Sequence, residues 1–172
     1  MGRVFTVSDR VVVLVPPGVV YRAVSRVGDM GRWSPENLGT TAGTADVPVA
    51  VGDSFVGRNK RGRVRWVTRC TVTAAEPGRR FAFRVDAIGL RTPRLRAPIA
   101  SWEYRFEAAD GGTLVTETWT DDRRAWPAPV ANVFDRIATS GRTFAAFQAR
   151  NIARTLRNLK RELESDAEAG GR

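Results

Sequence analysis

Hydrophobic positions along the chain follow two different periods. From Ser54 to Asp121 apolar and polar residues alternate in short runs, the period-two signature of strands, and turn-forming residues separate the runs. Ser54–Asn59 leads into Lys60-Arg61-Gly62, and Val64–Ala75 then ends at Glu76-Pro77-Gly78. Arg80–Ile88 precedes a Pro- and Arg-rich loop from Gly89 to Pro98, and Asp110-Gly111-Gly112 joins Ser101–Ala108 to Thr113–Asp121. Turns of this kind at this spacing join antiparallel neighbours. Ahead of the block, Phe5–Val15 reads as a Val-rich strand stopped by Pro16-Pro17-Gly18. Pro17 suits the first turn of a short helix, where its missing N–H costs nothing, and Val19, Val20, Val24 and Val27 give that helix an apolar side. Ser34-Pro35-Glu36 predicts a further helix start with Ser34 as N-cap. Residues 38–53 show no clear period, with one short strand expected around Thr40–Ala45.

In the last third the spacing changes to three and four. Val130, Phe134, Ile137, Gly141, Phe144, Gln148, Ile152, Leu156, Leu159 and Leu163 mark one side of a long amphipathic helix. Unbroken, it would exceed about 50 Å, so a kink is expected near Ser140-Gly141. Ala167–Arg172 should fray. The organisation expected is one domain over residues 1–166 and a disordered tail over 167–172.

Parity sorts the strand residues onto two faces. Val64, Trp66, Cys70 and Val72 oppose Arg65, Arg69 and Thr71; Phe81, Phe83 and Val85 oppose Arg80, Arg84 and Asp86. Trp102, Tyr104 and Phe106 oppose Glu103, Arg105 and Glu107; Val115, Glu117 and Trp119 oppose Thr116, Thr118 and Thr120. One face is aromatic and the other charged. The aromatic face must be covered, and the C-terminal helix is the large apolar cover available. The fold class is therefore α+β, an antiparallel sheet curled around one helix. The inward rings either fill a core or wall a pocket of a few hundred Å³. Glu117 shares their parity. It is either solvated near the sheet rim, paired with an arginine, or turned into an apolar interior, where burial would favour its protonated form.

Charge and composition narrow the chemistry. The 172 residues carry 28 Lys+Arg against 18 Asp+Glu, a formal +10. Twelve of the basic residues and two of the acids (Glu76, Asp86) lie between Arg58 and Arg96, so the whole excess sits in that block. Arg150, Arg154, Arg157 and Arg161 form a second basic stripe at helical spacing. The absence of His removes imidazole bases, Ser–His–Asp triads and His-based zinc sites. A single Cys, Cys70, allows no intramolecular disulfide. No apolar run approaches the roughly 20 residues that span a bilayer, and Val11–Val15 lacks the flanks of a signal peptide. A cytoplasmic protein without metal or cofactor is the expectation.

The order of elements resembles the START-like (Bet v 1-like, SRPBCC, helix-grip) superfamily, in particular its polyketide cyclase/dehydrase-like branch. The resemblance rests on Ala23-Val24-Ser25, Gly31-Arg32-Trp33-Ser34-Pro35-Glu36 and Gly52-Asp53-Ser54-Phe55-Val56-Gly57-Arg58-Asn59. It continues through Trp66 with Cys70-Thr71-Val72 and Glu76-Pro77-Gly78-Arg79-Arg80-Phe81-Ala82-Phe83. Trp102-Glu103-Tyr104-Arg105-Phe106-Glu107, Gly112-Thr113-Leu114-Val115-Thr116-Glu117 and Asn158-Leu159-Lys160-Arg161-Glu162-Leu163-Glu164 complete it. The resemblance implies a seven-stranded sheet, two short helices after the first strand, and a cavity under the long helix that takes a small hydrophobic molecule. The loop Gly89–Pro98 is longer and more basic than such a relative leads one to expect, and Arg26 stands in place of an expected Asp.

Three functions compete. The first is binding of a lipid, polyketide or aromatic metabolite, walled by Trp33, Trp66, Phe83, Trp102, Tyr104, Glu117, Trp119 and Phe144. The second is a cyclase or dehydratase acting on a chain held by an acidic carrier protein, with Glu117 moving a proton and Tyr104 or an inward arginine holding an oxygen; Cys70 has no partner base and reads as an inert buried thiol. The third, nucleic acid or anionic membrane on the Arg58–Arg96 block, ranks last because parity hides the rings that would stack on bases.

Overall fold

The computed structural model describes residues 4–40, 49–127, 129, 135 and 144–170. Its centre is a seven-stranded antiparallel sheet. The strands are β1 (Thr6–Val13), β2 (Asn37–Thr40), β3 (Ser54–Arg61), β4 (Val64–Glu76), β5 (Arg80–Gly89), β6 (Leu95–Ala109) and β7 (Gly112–Asp121), in the spatial order β1-β7-β6-β5-β4-β3-β2. From β3 to β7 every chain neighbour is a sheet neighbour, as hairpins dictate. Helix α1 (Pro17–Ser25) and a 3₁₀ helix (Val27–Arg32) carry the chain from one edge strand to the other. The long helix α2 (Phe144–Gly170) closes the chain.

The parity reading holds across the sheet. One inward row runs Val7, Trp119, Trp102, Phe83, Val72; the next runs Asp9, Glu117, Tyr104, Phe81. The outward face carries ion pairs instead: Arg69 Nε lies 2.6 Å from Asp86 Oδ1, and Glu103 accepts from Arg80 and Arg105. Helix α2 buries Ile152, Leu156, Leu159 and Leu163 against this frame. Its position is pinned by polar contacts: Lys160 Nζ donates to the Val12 carbonyl (2.8 Å), the Leu14 amide to Glu164 Oε1 (2.8 Å), and Asn158 Nδ2 to the Trp33 carbonyl (2.9 Å).

Three expectations need correction. Ser34-Pro35-Glu36 starts no helix; it bends directly into β2, because the Glu36 carbonyl accepts from the Lys60 amide and Asn37 pairs with Asn59. A short strand occupies Asn37–Thr40; the one expected around Thr40–Ala45 falls on residues outside those described, apart from Thr40. The loop after β5 is shorter than Gly89–Pro98, since β6 already begins at Leu95. Pro98 is accommodated where the β5–β6 register shifts, between Val85 and Ala87, a bulge that needs no N–H from proline. Ala167–Gly170 are helical rather than frayed: Ala167, Glu168 and Ala169 are good helix formers with no breaker before Gly170. The kink at Ser140-Gly141 and the residues Gly171 and Arg172 fall outside the described residues.

At one position the sheet demands a glycine. A Cβ on Gly112 would lie 2.1 Å from the Val13 carbonyl oxygen, a backbone atom. Gly112→Ala must push β1 from the β6–β7 turn, and a loss of about 2 kcal/mol in urea unfolding is expected. An unchanged midpoint would mean that the edge strand yields freely.

Candidate functional site

Between the aromatic rows of the sheet and α2 lies a cavity of about 670 Å³. It persists because of what α2 turns toward it. The apolar stripe of the helix (Ile152, Leu156, Leu159, Leu163) packs in the core, whereas Gln148, Asn151 and Thr155 line the cavity. These polar side chains opposite large rings leave space that none of the described residues fills.

Of the residues singled out from the sequence, Trp66, Phe83, Trp102, Tyr104, Glu117, Trp119 and Phe144 all line this cavity. Trp33 does not. It is 1% exposed, in the core beside the 3₁₀ helix, with its carbonyl held by Asn158. Phe144, at the start of α2, stacks on Trp119 with ring centres 5.5 Å apart and planes 24° from parallel. The guanidinium of Arg123 sits 4.8 Å from the Phe144 ring centre on this wall.

Glu117 is the polar centre of the apolar wall. It is 1% exposed. Strand pairing sets it directly opposite Tyr104, whose hydroxyl donates to Glu117 Oε1 at 2.8 Å. Glu117 Oε2 has no hydrogen-bond partner among the described residues. Burial pushes the Glu117 carboxyl up to about 8; the Tyr104 hydrogen bond pulls against this, and the charge of Asp9 on the neighbouring strand adds to it. At neutral pH the group is predominantly a neutral acid, able to donate from one oxygen while accepting on the other. Burial and the adjacent carboxyl together raise Tyr104 well above the ordinary phenol range, so it stays a donor. Cys70 also lines the cavity, and burial pushes its thiol up to about 12. It remains protonated, which suits the inert reading.

A second polar cluster closes one end. Arg61, on the last inward position of β3, pairs with Glu36 and lies 3.8 Å from the Phe147 ring centre and 5.4 Å from that of Trp66. Asn151 Nδ2 stands 3.5 Å from both Glu36 Oε2 and Gln148 Oε1. Arg61, Glu36, Asn151, Gln148 and Arg123 were not named as site residues from the sequence. Gln148 alone carried a signal there, as a polar residue on an otherwise apolar helical stripe. The rest depend on loops and helix meeting across the cavity. Among the described residues no cluster has the make-up of a metal site, and no helix is long and apolar enough to cross a membrane.

The family described as polyketide cyclase / dehydrase and lipid transport matches residues 4–164. None of the curated proteins matches the chain. Among solved structures, a polyketide-cyclase-like protein of Corynebacterium glutamicum is 26% identical, covers 98% of this chain and 97% of its own, and superposes with a TM-score of 0.58. An AHSA1-like protein of Aeromonas hydrophila is 20% identical over 94% of each chain, with a TM-score of 0.61. A protein of Nitrosomonas europaea reaches 0.65 at 13% identity, over 96% of this chain and 97% of its own. At such identities the last two speak for the fold alone.

Proposed function

The chain belongs to the polyketide cyclase/dehydrase and lipid transport family, and on that premise we propose that it binds a small, largely apolar molecule, one polar atom of which accepts a hydrogen bond from Glu117. The observation that carries this reading is a buried carboxyl oxygen, without a partner among the described residues, inside an aromatic cavity of about 670 Å³. That volume lies within the range of small-molecule sites. The polar atom is a carbonyl, phenol or hydroxyl oxygen: each accepts from a neutral carboxyl, and none adds a second charge beside Asp9. Burying ~300 Å² of ring surface at ~25 cal/mol per Å² contributes about 7.5 kcal/mol before the costs of association. That is enough for micromolar binding with few polar contacts.

Three of the tryptophans, Trp66, Trp102 and Trp119, line the cavity. Intrinsic fluorescence should therefore be quenched on titration with a naphthol probe, with a micromolar Kd. Trp102→Ala is expected to weaken the probe about tenfold or more by removing a wall. Native mass spectrometry of protein purified from its own host should show an adduct of a few hundred daltons. A bare chain mass together with no quenching by naphthol would sink the proposal.

A second reading is favoured by the Glu117–Tyr104 pair itself. A neutral acid whose Oε1 is held by the Tyr104 hydroxyl can present its own proton from Oε2 to a carbonyl or enolate oxygen, the role of a general acid. Recovery of the co-purified molecule unaltered after incubation, with Glu117→Gln changing affinity alone, leaves the binding reading. Turnover that vanishes in Glu117→Gln makes the chain a cyclase or dehydratase.

A further inference from the structure

At one end of the sheet two hairpins project side by side, and because exposed residues of both tips line the cavity, this end is its mouth among the described residues. Val67 pairs with Gly89 there, which sets the β3–β4 tip next to the β5–β6 tip. Both tips present aliphatic side chains to solvent: Val64 is 61% exposed, Leu90 78% and Leu95 57%. Val64 and Leu90 also line the cavity. Around them stand Lys60, Arg63, Arg65, Arg91, Arg94 and Arg96, all exposed, none ion-paired to an acid among the described residues. No Asp or Glu occurs in 62–75 or 87–102.

The β5–β6 tip is a built shape. The Arg94 amide donates to the Thr92 carbonyl at 2.9 Å, and a Cβ on Gly89 would lie 1.8 Å from that same oxygen. The chain folds back on itself tightly, and Leu90 on this turn is left largely exposed. Exposed aliphatics clustered at a cavity mouth need a reason, and a ring of cations needs an anionic partner.

We propose that these two hairpin tips dock the cavity mouth onto an anionic lipid bilayer, with Leu90, Leu95 and Val64 entering the acyl boundary and the surrounding arginines resting on the headgroups. A bilayer offers negative charge with hydrocarbon immediately behind it, in the order the tips require. An acidic protein surface would satisfy the arginines and leave the aliphatics against carboxylates. Since Val64 and Leu90 belong to both surfaces, docking makes the cavity wall continuous with the hydrocarbon, and an apolar guest enters or leaves without crossing water. Docking itself does not depend on a guest.

The test is co-sedimentation of the full chain, with nothing added, with vesicles of phosphatidylcholine alone and of phosphatidylcholine with phosphatidylglycerol. Binding is expected to the mixed vesicles only and to weaken as salt rises. Arg91→Glu with Arg94→Glu should lower affinity by about 25-fold or more, at roughly fivefold for each arginine lost. Leu90→Ser with Leu95→Ser should lower it about tenfold. Arg150→Glu with Arg154→Glu, on the helix, should change it less than twofold, and Trp102→Ala should not change it at all. Absence of binding to the mixed vesicles overturns the proposal. So does binding that the leucine changes leave intact, which would mark the block as a charge surface for soluble polyanions such as an acidic protein.

Discussion

Arg123→Ala is expected to lower the stability of the chain by about 3–5 kcal/mol, read as a fall in the urea midpoint at constant slope. The side chain is 1% exposed, as is that of Asp121. Its Nε and Nη2 donate to the two oxygens of Asp121 at 2.9 Å each, and Nη1 donates to Asp135 at 2.8 Å. The guanidinium also rests against Phe144. Asp121 ends β7 on an inward position, opposite Ala100. Truncating the arginine removes two charge-assisted donors from a carboxylate that water does not reach, and it takes support from a wall of the cavity. Removing one partner of a buried pair costs far more than the pair contributes relative to an apolar substitute. Arg123→Met combined with Asp121→Leu should accordingly recover most of the loss. A single variant within 1 kcal/mol of the parent would show that solvent already screens the carboxylate.

The second large effect concerns pH. Glu117 titrates near 8 in the fold against 4.5 for an ordinary glutamate. Between those values the unfolded chain has released a proton that the folded chain retains. Stability is therefore full below about pH 4.5 and falls by roughly 1.4 kcal/mol per pH unit up to about pH 8, above which the contribution is level. Glu103 and Glu164 act with the opposite sign and in another window. Each is partly desolvated, but hydrogen bonds from Arg105 and Arg80, and from Lys160 and the Leu14 amide, hold their carboxyls below the ordinary range. Their contribution is lost only in acid. In Glu117→Gln the amide oxygen can still accept from Tyr104, and no proton is released. Unfolding free energies compared from about pH 5 to 9 should show the parent declining and the variant flat, with the variant a few kcal/mol more stable at the alkaline end. Parallel curves would mean that Glu117 ionises as an exposed acid does. The same titration bears on function: a guest that accepts a hydrogen bond from the neutral acid should dissociate as Glu117 loses its proton.

Period and parity were enough to read the sheet. Alternation placed Trp66, Phe83, Trp102, Tyr104, Glu117 and Trp119 on one side, and hairpin turns made their strands neighbours. Those rules are local, acting within a few residues of backbone. Trp33 failed under the same reasoning because it lies in a connection, where no repeating geometry assigns a side. Ser34-Pro35-Glu36 failed because a local helix-start pattern lost to long-range pairing with β3.

Other features depended on how distant segments meet. The hollow exists because α2 rotates Gln148, Asn151 and Thr155 toward the rings while its leucines pack elsewhere. Helical spacing alone orders these residues around the axis without choosing which arc faces the sheet. Arg61 joins β3 to Glu36 and to the α2 ring of Phe147 through contacts that span the chain. Whether the Glu117 carboxyl is charged depends in the same way on exclusion of water, a property of the assembled interior that no stretch of residues encodes alone. Strand composition was sufficient to choose the side on which each ring stands; only packing between α2 and the sheet decided that the rings would enclose a space rather than fill it, because void volume is set by the sum of all facing side chains at once.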